Sequence, residues 1–156
     1  MPVRVEIAET PAQYADGGKL FREYADFLGV DLGFQDFAGE MATLPVMYGP
    51  PDGSLLLAWL DGHCIGAVGL RRLAPGVAEM KRLFVQPGHQ GSGAGRALVE
   101  AFIARAGVLG YRRIRLDTLR SLTAALALYR HHGFVEIAPY YHNPLPDVVF
   151  MERVLP

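Results

Sequence analysis

Two tight turns constrain the middle of this chain more than any other feature. Asp61-Gly62 separates the strand-forming runs Ser54–Leu60 and His63–Arg71, and Pro75-Gly76 separates the second run from Val77–Val85. An Asp-Gly pair supplies the positive backbone angles of a two-residue hairpin, so these runs are expected side by side as an antiparallel meander. Gly95–Ala106 then places Ala97, Leu98, Ala101 and Phe102 at helical spacing, Gly110 is positioned to end the helix, and Arg113–Asp117 is a strand again. Strand, helix, strand implies a crossover that returns parallel. The expected fold is therefore α/β, of the mixed α+β kind. It has a mostly antiparallel central sheet of about six to seven strands, one parallel pair, and about four flanking helices.

The flanking segments fit the same plan. Val3–Ala8 alternates apolar and polar residues as a half-buried strand does. Thr10-Pro11 reads as N-cap and first helical residue of a helix reaching Leu28, weakened by Gly17-Gly18 and stopped by Gly29. A shorter helix is expected over Gln35–Leu44, ended by Pro45, and then a loop over residues 47–53. Ser121 is placed to cap a helix running through Tyr129, and Phe134–Ile137 and Val148–Leu155 read as late strands. At 156 residues, without linker or repeat, residues 1–156 are expected to form one domain.

Composition narrows the function classes. Fifteen Lys and Arg against sixteen Asp and Glu leave a formal charge of −1, which gives no purchase on nucleic acid or another polyanion. Cys64 is the sole cysteine, so neither an internal disulfide nor a cysteine-built metal site is available; it reads as a small buried strand residue. No His-x-x-x-His spacing suggests a metal either. The N-terminus lacks the apolar core of a secretory signal, and Leu55–Leu60 is far too short to span a bilayer. A cytoplasmic protein with no membrane partner is expected.

The most informative chemistry lies in Val85-Gln86-Pro87-Gly88-His89-Gln90-Gly91-Ser92-Gly93-Ala94-Gly95-Arg96, between a strand and a helix. First-turn amides of a helix have no internal acceptor, the helix dipole favours negative charge there, and glycines let a ligand come close. A pyrophosphate suits such a turn. The loop is not a P-loop, because no Gly-Lys-Ser/Thr follows, and the Gly-x-Gly-x-x-Gly fingerprint fails at Arg96 and at Leu98.

Val85-x-Pro87-x-x-Gln90-x-x-Gly93-x-Gly95 after a strand resembles the coenzyme A loop of the GNAT N-acetyltransferase superfamily. Leu128-Tyr129 followed by Gly133-Phe134 is similar to that family's C-terminal signature, and element order agrees over nearly the whole chain. Met80–Val85 and the tail from Pro139-Tyr140-Tyr141 to Met151-Glu152 are similar to a bacterial subgroup of unassigned substrate. The resemblance implies acetyl-CoA as co-substrate, with Gln90, Gly91, Ser92, Gly93, Ala94, Gly95 and Arg96 around the pyrophosphate. It implies Leu83, Phe84 and Val85 along the pantetheine arm, in a gap where the strands flanking the helix splay apart. It further implies acetyl transfer to a primary amine of a small molecule or peptide. A non-catalytic acyl-CoA-binding module on the same fold, or a nucleotide-binding domain of another class, are the alternatives.

Direct transfer from a thioester to an amine needs a neutral amine, a donor for the oxyanion and a proton for the departing thiolate. Tyr129 is the candidate acid, at the position where the family holds a tyrosine beside the sulfur; the same ring also suits the core beneath Phe134. Glu79 is the candidate base, directly or through a water, eleven residues before Gln90 as in histone-type members. It reads equally well as a strand carboxylate paired with Lys81. The family often has an asparagine seven positions before the tyrosine, where this chain has Leu122. Phe34, Phe37, Tyr48, Tyr140 and Tyr141 are candidate walls for the acceptor. Glu79 and Asp117 are candidate attractors of a cationic amine, and Arg71 or Arg120 candidate partners of an acceptor carboxylate. The exposed late strands leave a homodimer open.

Overall fold

The computed structural model describes residues 2–156. Strand β1 (Arg4–Ile7) leads into helix α1 (Pro11–Leu28). Thr10 caps α1 through a reciprocal pair of bonds: its Oγ1 accepts from the Gln13 amide at 3.2 Å, and Gln13 Oε1 accepts from the Thr10 amide at 2.8 Å. Gly29 ends the helix in the left-handed conformation, with φ at 66°. Gly17 brings α1 close to the sheet, since a Cβ there would stand 2.3 Å from Leu55 Cδ2, and Gly18 makes room for Leu44, whose Cδ1 lies 3.0 Å from a built Cβ.

The expected single helix over Gln35–Leu44 is broken into three pieces: a 3-10 turn at Gly33–Gln35, helix α2 (Phe37–Ala42) and helix α3 (Leu44–Met47). Pro45 does not end a helix; it sits in the first turn of α3, where its missing N–H costs nothing. Strands β2 (Ser54–Leu60), β3 (His63–Ala74) and β4 (Val77–Val85) form the meander, with Asp61 at φ 50° and Gly62 at φ 80° in the hairpin turn. Helix α4 (Ala94–Val108), strand β5 (Arg113–Leu119), helix α5 (Thr123–His131) and strands β6 (Val135–Ile137) and β7 (Val148–Val154) complete the chain. Ser121 does not cap α5. Leu122 holds the N-cap position, and no side chain bonds the free amides there.

All seven strands join one sheet in the order β1-β2-β3-β4-β5-β7-β6, antiparallel at every pair except β4–β5. Alternation along β2 divides the core. Leu55 and Leu57 face α1 with Phe21 and Tyr48, while Leu56 and Ala58 face α4 with Leu98 and Phe102. Two features of β4 prepare the site. It pairs with β5 only through Val77, Ala78 and Glu79, so the two strands part from Met80 onward. The register against β3 also slips by one residue between Ala67 and Gly69, and Arg82 takes φ 64° at this bulge. A non-glycine residue held there stores about 1–3 kcal/mol of strain. Its guanidinium is buried and donates to Glu40 at 2.8 and 3.2 Å, with the Phe37 ring centroid 5.2 Å away. That buried pair holds the bulge.

Candidate functional site

The parted ends of β4 and β5 open a groove of about 600 Å³, within the range of small-molecule sites. One wall is the β4 segment Leu83, Phe84 and Val85; the opposite wall is the start of α5, from Ser121 to Ala125, with Leu128. Tyr24 and Phe27 of α1 edge it from above, their neighbour Phe84 lying 5.9 Å from each ring. The floor is the glycine turn. Gly91 and Gly93 have φ near 90° and no atom within 4 Å of a built Cβ, so their glycine identity answers to backbone conformation.

The amide of Ala94 donates to Ser92 Oγ at 3.3 Å, and that of Ala97 to the Gly93 carbonyl at 2.9 Å. The amides of Gln90, Gly91, Gly93, Gly95 and Arg96 donate to no protein acceptor among the described residues. Five N–H groups at the positive end of α4 can therefore hold the phosphates of an anionic ligand, while the apolar walls of β4 and α5 suit a pantetheine arm. Gln90, Gly91, Gly93, Ala94, Gly95 and Arg96 line this groove; Ser92 does not, its hydroxyl accepting from the Ala94 amide. Arg96 is exposed and paired with Glu100 at 2.9 Å. Among the described residues no His, Cys, Asp and Glu side chains are grouped to hold a metal, and no helix is long and apolar enough to cross a membrane.

Tyr129 sits inside the fold with its ring 5.8 Å from Phe134. Burial pushes its phenol far above the ordinary range, and the nearby Tyr24 phenol and Asp117 carboxylate add to this. Tyr24 is itself pushed up to about 12 by burial and by Asp117, against the opposing pull of Arg82. Both phenols keep their protons.

Across the gap from the groove, on the α1 face of the sheet, the side chains form a polar network. Glu79 is 1 % exposed. Its partner is Arg71, directly opposite on β3, rather than Lys81: Arg71 Nε donates to Oε1 at 2.7 Å, and the Tyr140 hydroxyl donates to Oε2 at 2.6 Å. Asp117 accepts at Oδ2 from the Tyr141 hydroxyl and from Asn143 Nδ2. Tyr141 in turn accepts from Gln35 Nε2 at 2.6 Å, and both Tyr140 and Tyr141 pack on Phe150. A second, small cavity of about 40 Å³ lies here, bordered by Tyr24, Lys81, Asp117, Gln35 and Asn143. Tyr24 lines both cavities.

The aromatic residues singled out in the sequence separate in the structure. Tyr140 and Tyr141 join the network, and Phe37 supports Arg82. Phe34 is 38 % exposed on the 3-10 turn and borders neither cavity. Tyr48 has no exposed surface: its ring fills the space above Gly69 and its hydroxyl donates to Glu40 at 2.8 Å, so burial against the sheet accounts for it. Tyr24, Phe27, Gln35, Lys81 and Asn143 escaped the sequence reading. For Tyr24 and Phe27 the only sequence signal was aromatic spacing on α1, which helix burial explains as well; Gln35, Lys81 and Asn143 carry no local signal.

The sequence matches the model of the Acetyltransferase (GNAT) family over residues 19–134. An uncharacterized N-acetyltransferase of Schizosaccharomyces pombe is 39% identical over 151 residues, covering 96% of this chain and 93% of the relative. The N-alpha-acetyltransferase RimI of Mycobacterium tuberculosis is 36% identical over 135 residues, covering 79% of this chain and 82% of the relative. The crystal structure of an acetyltransferase from Streptococcus agalactiae superposes with a TM-score of 0.80 at 22% identity, covering 99% of both chains, which speaks to the fold. With a eukaryotic relative of this similarity, the resemblance is wider than the bacterial subgroup suggested by the tail.

Proposed function

The chain belongs to the GNAT acetyltransferase family, and on that premise we propose that it transfers the acetyl group of acetyl-CoA to a primary amine of a small molecule or peptide in the cytoplasm. The observation that carries this reading is the groove whose apolar walls end on five unpaired amides at the start of α4. Pyrophosphate on those amides and pantetheine between β4 and α5 would bring the thioester to the parted strands, beside Tyr24.

The amine lone pair attacks the thioester carbonyl carbon, and the oxyanion accepts from a backbone amide of Leu83–Val85, whose β5-facing edge has no strand partner. The carbon–sulfur bond then breaks, and the leaving thiolate takes the proton of Tyr129. Burial keeps this phenol protonated until the charge developing on sulfur draws the proton away. A free alkylammonium has a pKa of about 10, so the acceptor must also lose a proton. Glu79 is the proposed destination of that proton, relayed by the Tyr140 hydroxyl that donates to it; neither residue lines the two cavities, so a water completes the route.

Acetyl-CoA mixed with the protein and a panel of amines tests the reading by release of free thiol. Turnover with at least one amine is expected. Tight acetyl-CoA binding without turnover across the panel would instead identify a non-catalytic acyl-CoA module.

A further inference from the structure

Arg71 and Arg120 are the cations that the sequence offers to an acceptor carboxylate, and both are engaged. Arg71 is held by Glu79 at 2.7 Å and Arg120 by Glu136 at 2.9 Å. The cation left over is Lys81. It is 8 % exposed and borders the small cavity beside Tyr24, yet no carboxylate of the described residues lies within ion-pair distance of its ammonium. Burial pulls its pKa down, while Glu79, Asp117 and Glu40 pull it up from a distance and Arg82 pushes it down. Arg82 offers no relief to an anion, because Glu40 already neutralises it.

The same cavity holds unmet acceptors. Gln35 Oε1 is buried and has no hydrogen-bond partner among the described residues. Asp117 takes both of its bonds on Oδ2, leaving Oδ1 without a partner among the described residues. A buried cation with no counter-ion beside a buried acceptor with no donor is costly to maintain unless a ligand completes both.

We propose that the acceptor is a small free amino acid, its carboxylate docked on Lys81 and its amino group between Asp117 Oδ1 and Gln35 Oε1. This rests on the acetyl-transfer reading for its chemistry but on its own residues for recognition. The pairing is complementary in sign and in hydrogen bonding: Lys81 has only donors, and Gln35 Oε1 and Asp117 Oδ1 are acceptors. The volume of about 40 Å³ is room for about three waters, which suits the charged end of an amino acid and excludes a bulky head group. Leu28, Leu32, Leu119 and Leu145 also line it and favour a short apolar side chain. Tyr24 lines both cavities, so the amino group would reach the thioester past this side chain. A peptide N-terminus or a plain alkylamine leaves Lys81 unpaired.

Matched acceptors test the proposal. Thiol release is measured with L-alanine, L-alaninamide, ethylamine and alanyl-alanine, and calorimetry follows L-alanine and L-alaninamide binding to protein saturated with coenzyme A. L-alanine is expected to exceed each of the others in kcat/KM by at least about tenfold, and to bind at least about tenfold more tightly than its amide. Lys81→Met should bring both ratios to about one, and Lys81→Arg should retain part of them. Circular dichroism checks folding, with Lys81→Gln as the second variant. Equal or better use of the amide or dipeptide overturns the proposal, as does a Lys81 variant that lowers every acceptor by the same factor. The two readings fail separately. Amine turnover without carboxylate preference removes the amino-acid site and keeps acetyl transfer. Lys81-dependent alanine binding without turnover does the reverse.

Discussion

On one side of the β4–β5 gap the groove is made of backbone and apolar surface: free amides of the glycine turn, the strand segment Leu83–Val85, and the uncapped start of α5. On the other side almost every contact is a side chain reaching a side chain. Glu40 meets Arg82, Arg71 meets Glu79, Tyr140 reaches back to Glu79, and Asp117 gathers Tyr141 and Asn143. The first side is suited to a ligand of fixed chemistry, since amides recognise any diphosphate and the groove any pantetheine. The second side holds paired and unpaired charges whose arrangement depends on individual residues, and the proposed acceptor site lies there. Arg82 joins the two, because the bulge that its ion pair holds also sets the course of Leu83–Val85.

The sharpest way to break this comparison is at that junction. Glu40→Ala strands a buried guanidinium and releases a strained residue, and should cost about 3–5 kcal/mol in urea unfolding. A loss below about 1 kcal/mol would mean that the bulge holds itself without the pair. Next in size, Tyr129→Phe should lower kcat about a hundredfold with the KM for acetyl-CoA within about twofold, read from steady-state kinetics. An unchanged kcat would leave Tyr129 as a core aromatic only. On the donor side, Gly93→Ala forces an L-residue into the left-handed region at φ 90°. It should weaken acetyl-CoA about tenfold by calorimetry while leaving the KM of the acceptor amine unchanged. A parallel loss for the acceptor would show that the two sides are not separable.

The smallest expected effect is on pH. Tyr24 is pushed up to about 12 from the ordinary phenol value of about 10, so the folded state holds this proton more tightly than the unfolded chain does. Its contribution is fully present below about pH 10 and is lost as pH rises through 12. Allowing for the part of the ring open to the groove, stability should fall by about 1 kcal/mol between pH 9 and 11. Tyr24→Phe should remove that share of the slope in thermal melts taken across this range.

The donor side was the more legible one in the sequence, for a physical reason. Backbone sites need glycines at fixed offsets, and Gly91, Gly93 and Gly95 sit within five consecutive residues. The strands also read well, because Asp61-Gly62 and Pro75-Gly76 are local turn chemistry and β2 and β4 begin and end where their apolar runs do. The broken region from Gly33 to Met47 did not. Pro45 is equally at home after one helix and inside the first turn of the next, and only packing of Leu44 against α1 decides between them. Ser121 likewise has a capping residue's identity but stands one position too early.

What the sequence determined alone was the mixed sheet and the glycine turn that opens α4, since the turn chemistry of both lies in residues adjacent in the chain. What only the tertiary structure decided was the partners of the buried charges. Glu79 has Lys81 two residues away but takes Arg71 across the hairpin, and Glu40 finds Arg82 forty-two positions later. Such pairings are fixed by which strand neighbours which and by how little water is left between them, and spacing along the chain carries neither quantity.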